Sequence, residues 1–177
     1  MAADLDTVLP LITADKAKAL MIALAQVPSP LTALFEAEPK LREFIDVAVE
    51  PRLREMGIGN IRRDTMGNLA ATLGSGASGR SLMLVTNAMT QPPATMPNPY
   101  GGEVRDGAAY GLPGEVVLGK GVSEQKAPLA AILLALRSVL AARVPLSGQV
   151  VFLADSKSSL FTFDVVPPVT TSVITTI

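Results

Sequence analysis

The chain has 177 residues, of which 49% are hydrophobic and 18% charged, a length and composition that allow one domain with a buried core. Its 15 basic and 16 acidic residues are evenly mixed and aromatic residues make up only 4%, so it lacks the basic stripe and stacking surfaces of nucleic-acid-binding proteins. The absence of cysteine and histidine excludes disulfides, thiolate sites and Ser-His-Asp chemistry, and leaves only oxygen ligands for a metal.

The amino terminus gives no indication of membrane targeting. The first seven residues are acidic and lack the basic segment and apolar core of a signal peptide. The longest apolar stretch, Pro128 to Val139, is shorter than the about 20 residues that span a bilayer. We therefore expect a cytoplasmic protein with neither a membrane nor a nucleic-acid partner.

The first part of the chain predicts two helices. Thr13 is suited to cap a helix that continues to about Gln26, and the Pro-Ser-Pro that follows ends it. A second helix is predicted from Pro39, because a missing N–H is tolerated in the first turn. Pro51 must kink or restart this helix, which ends near Gly57.

The middle of the chain predicts strands. Ile58 to Asp64 and Asn68 to Leu73 are short strand candidates, and the Gly67-Asn68 pair between them suits a hairpin turn. The continuous apolar run Leu82 to Val85 is typical of a strand covered on both faces. From Gln91 to Gly114 no period is visible, and we expect a long ordered loop.

The third part predicts a strand, a helix and a strand. Glu115 to Leu118 and Gln149 to Leu153 flank a helix from Lys126 to Ala142, an order that indicates a βαβ unit with a parallel pair. The expected fold is α/β, a mostly parallel sheet with helices on both faces. We expect residues 1–159 to form this domain and residues 160–177 to be an apolar tail of uncertain role.

Three motifs resemble those of a known family. They are Gly119 to Lys126, which reads Gly-basic-Gly-x-x-acid-x-Lys, the Pro-Ser turn within Gln26 to Pro30, and the Gly-Asn passage within Asp64 to Leu69. From Thr13 to Leu153 the chain resembles the amino-terminal part of the dinuclear-zinc exopeptidases and deacylases, which include acetylornithine deacetylase, succinyl-diaminopimelate desuccinylase and aminoacylase. The resemblance implies the first half of a catalytic domain, zinc or another divalent metal as cofactor, and hydrolysis of amide bonds in N-acyl amino acids or peptides.

Glu124 is the candidate metal ligand. By resemblance it occupies the position of an acid that bridges two zinc ions, although the family usually has Asp there. It is equally suited to the first turn of a helix, where a carboxylate interacts with the helix dipole. Lys126 is interpreted as a solvated first-turn lysine, and Met89 and Met96 as packing residues.

This chain differs from the family at the positions that bind metal or carry out catalysis. Where the family has His-x-Asp after a strand, this chain has Asn87-Ala88-Met89, and Gln91 stands where some relatives place a histidine. Asp155 is the only acid where the family has two adjacent glutamates, and Lys157 would oppose a metal. Because metal affinity comes from several preorganised ligands, one carboxylate cannot hold two ions. The sequence therefore predicts no catalytic residue of its own.

Three hypotheses remain open. The chain is a truncated or degenerate member of the hydrolase family, inactive by itself. Alternatively, it is a non-catalytic binding or partner subunit that uses residues 91–114 for recognition. In the third, it is an enzyme whose missing groups come from a homo-oligomer or a partner chain. An amide or peptide substrate is implied by the resemblance alone, and whether the chain is an enzyme stays open.

Overall fold

The computed structural model describes residues 5–32 and 38–155 and the strand Thr171–Thr175. The helices are α1 (Leu5–Val8), α2 (Ala14–Ala25), α3 (Pro39–Phe44), α4 (Glu50–Glu55) and α5 (Ala127–Ala141). The strands are β1 (Ile61–Arg63), β2 (Leu69–Leu73), β3 (Ser81–Asn87), β4 (Glu103–Asp106), β5 (Glu115–Leu118), β6 (Gln149–Asp155) and β7 (Thr171–Thr175).

The two predicted amino-terminal helices are confirmed, and local chemistry explains their ends. The Oγ1 of Thr13 accepts a hydrogen bond from the Lys16 N–H and caps α2. Pro39 stands in the first turn of α3. Pro51 restarts the second helix, since a π-helical turn (Ile45–Val49) joins α3 to α4 and places the proline in the first turn of α4.

The main sheet has the strand order β1-β2-β6-β3-β7. The β1–β2 and β2–β6 pairs are antiparallel, whereas β3 pairs in parallel with both β6 and β7. The α/β class is confirmed, and the sheet is mixed, with two of its four pairings parallel. The predicted hairpin around Gly67 is also confirmed, because Arg63 and Leu69 are opposite each other in β1 and β2.

The predicted βαβ unit is wrong in its first strand. β5 does not belong to the main sheet but pairs with β4 in a separate antiparallel two-stranded sheet. The strand parallel to β6 is β3, so α5 lies on the connection between β3 and β6. The prediction of an unbroken loop from Gln91 to Gly114 is also wrong in part, because this segment contains β4 and a 3-10 turn (Gly107–Tyr110).

The core lies between the helices and one face of the main sheet. Residues at alternate positions of the strands, such as Leu69, Ala71 and Phe152, form one buried cluster with residues of α2 to α5. Met83 and Val151 belong to the opposite face and are buried as well. Within the described part of the chain, we find no helix with the length and apolar character needed to cross a membrane. Of the predicted tail, only the backbone of β7 is described.

Candidate functional site

The motifs that carry the family resemblance meet at one edge of the main sheet, where the parallel strands β3 and β6 both end. Asn87 and Asp155 are the last residues of these strands and are register partners. The Ala88 N–H donates to the Asp155 carbonyl at 2.8 Å. Because β2 runs antiparallel to β6, its first residue Leu69 pairs with Ala154 and brings the Gly-Asn turn to the same edge. Ligands of open α/β sheets bind outside the carboxyl ends of the strands.

The Pro-Ser turn lies against the segment that follows β3. The Ser29 carbonyl accepts hydrogen bonds from the Thr90 N–H at 2.8 Å and from the Thr90 Oγ1 at 3.1 Å. The Leu31 N–H donates in turn to the Thr90 carbonyl, and Pro30 forms a parallel bridge with Thr90. These bonds extend the sheet edge by one short segment, in which both Ser29 and Thr90 are buried.

The glycine turn before α5 is fixed by close packing. Gly121 has φ +77°, a left-handed conformation that favours glycine, and a Cβ placed there would come 2.2 Å from the Thr90 Cγ2. A Cβ on Gly119 would come 2.9 Å from the Val122 Cγ2 and 3.1 Å from the Ala25 Cβ. The turn therefore fits between the end of α2 and the segment after β3 only with glycine at these positions.

Glu124 lies in a π-helical turn (Val122–Lys126) between this glycine turn and α5. Its side chain is exposed, and no hydrogen bond or ion pair joins its carboxylate to a described residue. The turn has no side-chain cap, so Glu124 acts on the helix dipole by its charge alone. Its role as a metal ligand stays a prediction.

The donor set at the sheet edge does not fit a dinuclear metal centre. Met89, at the place of the family's orienting carboxylate, is buried, whereas the side chain of Gln91 is exposed. Asn87 offers a neutral amide in place of an imidazole. Across residues 5–32 and 38–155, no three His, Cys, Asp or Glu side chains come together in a group that could hold a metal ion. Lys157 lies outside the described residues.

Lys126 is buried at this site, with a side chain only 1% exposed. Its Nζ donates to the Val27 carbonyl at 2.8 Å and to the Ala25 carbonyl at 3.4 Å. The ammonium also lies 5.3 Å from the centre of the Phe44 ring and 5.8 Å from that of Tyr100. These are cation–π distances. Burial lowers the pKa of Lys126 to about 8, because desolvation disfavours the charged form.

The interpretation of Lys126 as a solvated lysine is therefore wrong. Its ammonium binds the carbonyl of Ala25, the last residue of α2, and that of Val27, two residues after the helix, and its positive charge is favourable at the negative end of the helix dipole. The signal was present in the sequence, because Lys126 lies three and seven residues before the buried Leu129 and Leu133. That spacing places it on the buried face of the helix.

Solved structures of several peptidases share this fold. The dipeptidase Dug1p from Saccharomyces cerevisiae matches with a TM-score of 0.66 and 15% identity, over 88% of this chain and 35% of its own. Human carnosine dipeptidase 1 matches with a TM-score of 0.61 and 17% identity, over 81% of this chain and 32% of its own. The M20 family metallo-carboxypeptidase Sso-CP2 from Sulfolobus solfataricus matches with a TM-score of 0.59 and 16% identity, over 81% of this chain and 31% of its own.

These matches confirm the resemblance at the level of the fold. The chain spans about a third of the length of each of these solved structures. No protein-family model matches the sequence, and no curated protein matches it.

Proposed function

We propose that this chain is a degenerate member of the metal-dependent amidohydrolases and exopeptidases that has no hydrolytic activity by itself. The observation that carries the proposal is the donor set at the sheet edge, where Asn87 and Met89 replace an imidazole and a carboxylate. Asp155, the last residue of β6, stands where the family has two adjacent glutamates. Water activation by two metal ions needs several ligands fixed in advance, and these residues offer too few of them.

Glu124 is the residue that we propose as the remaining metal-ligand position. Its carboxylate is accessible and lies directly after the glycine turn, as the family motif requires. A bound divalent ion, zinc by resemblance, would supply Lewis-acid activation of water. With one accessible carboxylate and no imidazole, we expect the chain to bind such an ion weakly.

Thermal unfolding with and without metal tests whether the chain retains a functional metal centre. Melting temperatures are measured by circular dichroism in EDTA, zinc and manganese for the native chain and for Glu124→Ala. Glu55→Ala, which removes another exposed carboxylate, is the matched control. Hydrolysis of N-acetyl amino acids and dipeptides is measured in the same solutions.

We expect equal melting temperatures in EDTA and in either metal, and no hydrolysis above the rate in buffer. A metal-specific rise in melting temperature that Glu124→Ala abolishes and Glu55→Ala retains would overturn the inactive assignment. Hydrolysis that appears only with a second, co-purified chain would favour an enzyme completed by a partner.

A binding or partner subunit on the same scaffold is the second candidate. One observation favours it, since the segment predicted as a recognition loop exposes Tyr110 and Leu112, each to 53%. Val104 on β4 is also exposed. Single exposed apolar residues are ordinary, but three within nine residues can form part of a contact surface. If so, Tyr110→Ser with Leu112→Ser abolishes co-purification of a specific partner, whereas Leu5→Ser, at another exposed apolar residue, retains it.

A further inference from the structure

A groove lies on the helical side of the molecule. Residues of α2, α4 and α5 line it, and its volume is about 540 Å³. Pockets for small ligands typically have about 300–1,000 Å³. Its partly exposed apolar lining consists of Leu20 and Ala23 from α2, Met56 after α4 and Leu140 from α5.

The groove also carries an excess of positive charge. Lys16, Arg52 and Arg137 line it, and Glu55 is the only acid in the lining. Lys16 and Arg52 donate to backbone carbonyls, at 2.8 and 2.6 Å, and neither is paired with a carboxylate of the described residues. Arg137 is exposed, and its guanidinium makes no hydrogen bond or ion pair with a described residue. Three cations beside this apolar lining match a ligand with one anionic and one apolar end.

The two cations Lys16 and Arg137 and the apolar Ala23 lie toward different ends of the groove, because of the directions in which α2 and α5 run. The hydrogen bond from Lys126 to Val27 joins the start of α5 to the end of α2, so the two helices run in opposite directions along the groove. Lys16, at the start of α2, and Arg137, late in α5, therefore lie toward the same end. Ala23 lies seven residues from Lys16, about 10 Å along the helix.

We propose that this groove binds a carboxylate with an unbranched apolar chain. The carboxylate pairs with Arg137 and Lys16, and the chain lies along the partly exposed Leu20 and Ala23. Lys16 and Ala23 are about 10 Å apart along α2. This distance equals the length of an extended chain of about eight to ten carbons. Burial of the chain supplies the affinity, and the cations supply the selectivity for an anion.

Isothermal titration calorimetry with decanoate tests this site in the intact chain. We expect one saturable site for decanoate, no measurable binding of acetate, and binding of 1-decanol that is weaker by about tenfold. Arg137→Gln should weaken decanoate binding by about tenfold, whereas Arg80→Gln, at an exposed arginine outside the groove, should leave it unchanged.

A second variant tests the apolar end independently of charge. Ala23→Met extends into the groove and should weaken decanoate binding while the circular dichroism spectrum stays native. Equal binding of decanoate and 1-decanol, equal affinities of Arg137→Gln and Arg80→Gln, or no binding by the native chain would each overturn the proposal. Many weak sites without saturation would do the same, because they indicate adsorption of the apolar chain to the surface.

Discussion

The buried ammonium of Lys126 makes the stability of the protein depend on pH in a direction that can be worked out. Below about pH 8 the lysine is charged in both the folded and the unfolded states, and the folded state bears the cost of desolvation. Above pH 10.5, the ordinary pKa of lysine, it is neutral in both states and this cost is absent. Between these values the unfolded chain binds more protons. The free energy of unfolding therefore rises with pH across this window.

The magnitude follows from the two pKa values of Lys126. Each pKa unit corresponds to about 1.4 kcal/mol, so lowering the pKa from 10.5 to about 8 costs about 3 kcal/mol when the group is fully charged. About 2 kcal/mol of this cost should disappear between pH 7 and pH 9.5. That range stays below the titration of Tyr100, whose pKa is raised by burial.

Urea unfolding followed by circular dichroism at several pH values measures this effect. Lys126→Met removes the titrating group and retains an unbranched side chain of similar length. Between pH 7 and pH 9.5 the free energy of unfolding of the native chain should rise by about 2 kcal/mol relative to that of Lys126→Met. Lys120→Met is the matched control in the same turn, with a half-buried lysine. Parallel pH profiles for the native chain and Lys126→Met would refute the reasoning.

Two further substitutions test the contacts that hold the sheet edge together. Gly121→Ala should destabilise the chain by about 3 kcal/mol in urea unfolding, because the residue has a positive φ and the added Cβ overlaps the Thr90 side chain. Gly111→Ala is the control, with φ +71° and open space around the added Cβ, and should cost about 1 kcal/mol. Equal losses of unfolding free energy in the two variants would show that the Thr90 side chain moves away without cost. Thr90→Val removes the hydroxyl donor to the Ser29 carbonyl and should cost about 1 kcal/mol in the same assay, and an unchanged midpoint would contradict the role of this bond.

Features fixed by local chemistry could be predicted from the sequence. The cap at Thr13, the first-turn Pro39 and the restart at Pro51 each act within one helical turn, and the structure has all three. The hairpin around Gly67 is local in the same way, since it depends on one positive φ between two short strands.

Strand pairing could not be predicted, because it depends on contacts distant in sequence. β4 reads Glu-Val-Arg-Asp and offers one apolar side chain, so it has no alternating pattern that would mark it as a strand. Its partner β5 resembles a buried strand by composition, and nothing local indicates that it leaves the main sheet. The parallel pairing of β3 with β6 joins segments separated by more than 60 residues.

The candidate site was predicted in part. The motifs that suggested the family lie at one sheet edge, and the short separation of Asn87 from Asp155 follows from the parallel register. The charge of Lys126 favours a solvated position, whereas its helical spacing to Leu129 and Leu133 indicates the buried position that the structure has. The proposed role of Glu124 as a metal ligand stays a prediction.

Equilibrium dialysis against zinc, with the metal counted per chain, tests the central proposal most directly. We expect less than one zinc per chain at a micromolar free concentration, with no difference between the native protein and Glu124→Ala, because one accessible carboxylate at the sheet edge offers too few ligands. Two zinc ions per native chain, and their loss in Glu124→Ala, would contradict the proposal that the metal centre is degenerate.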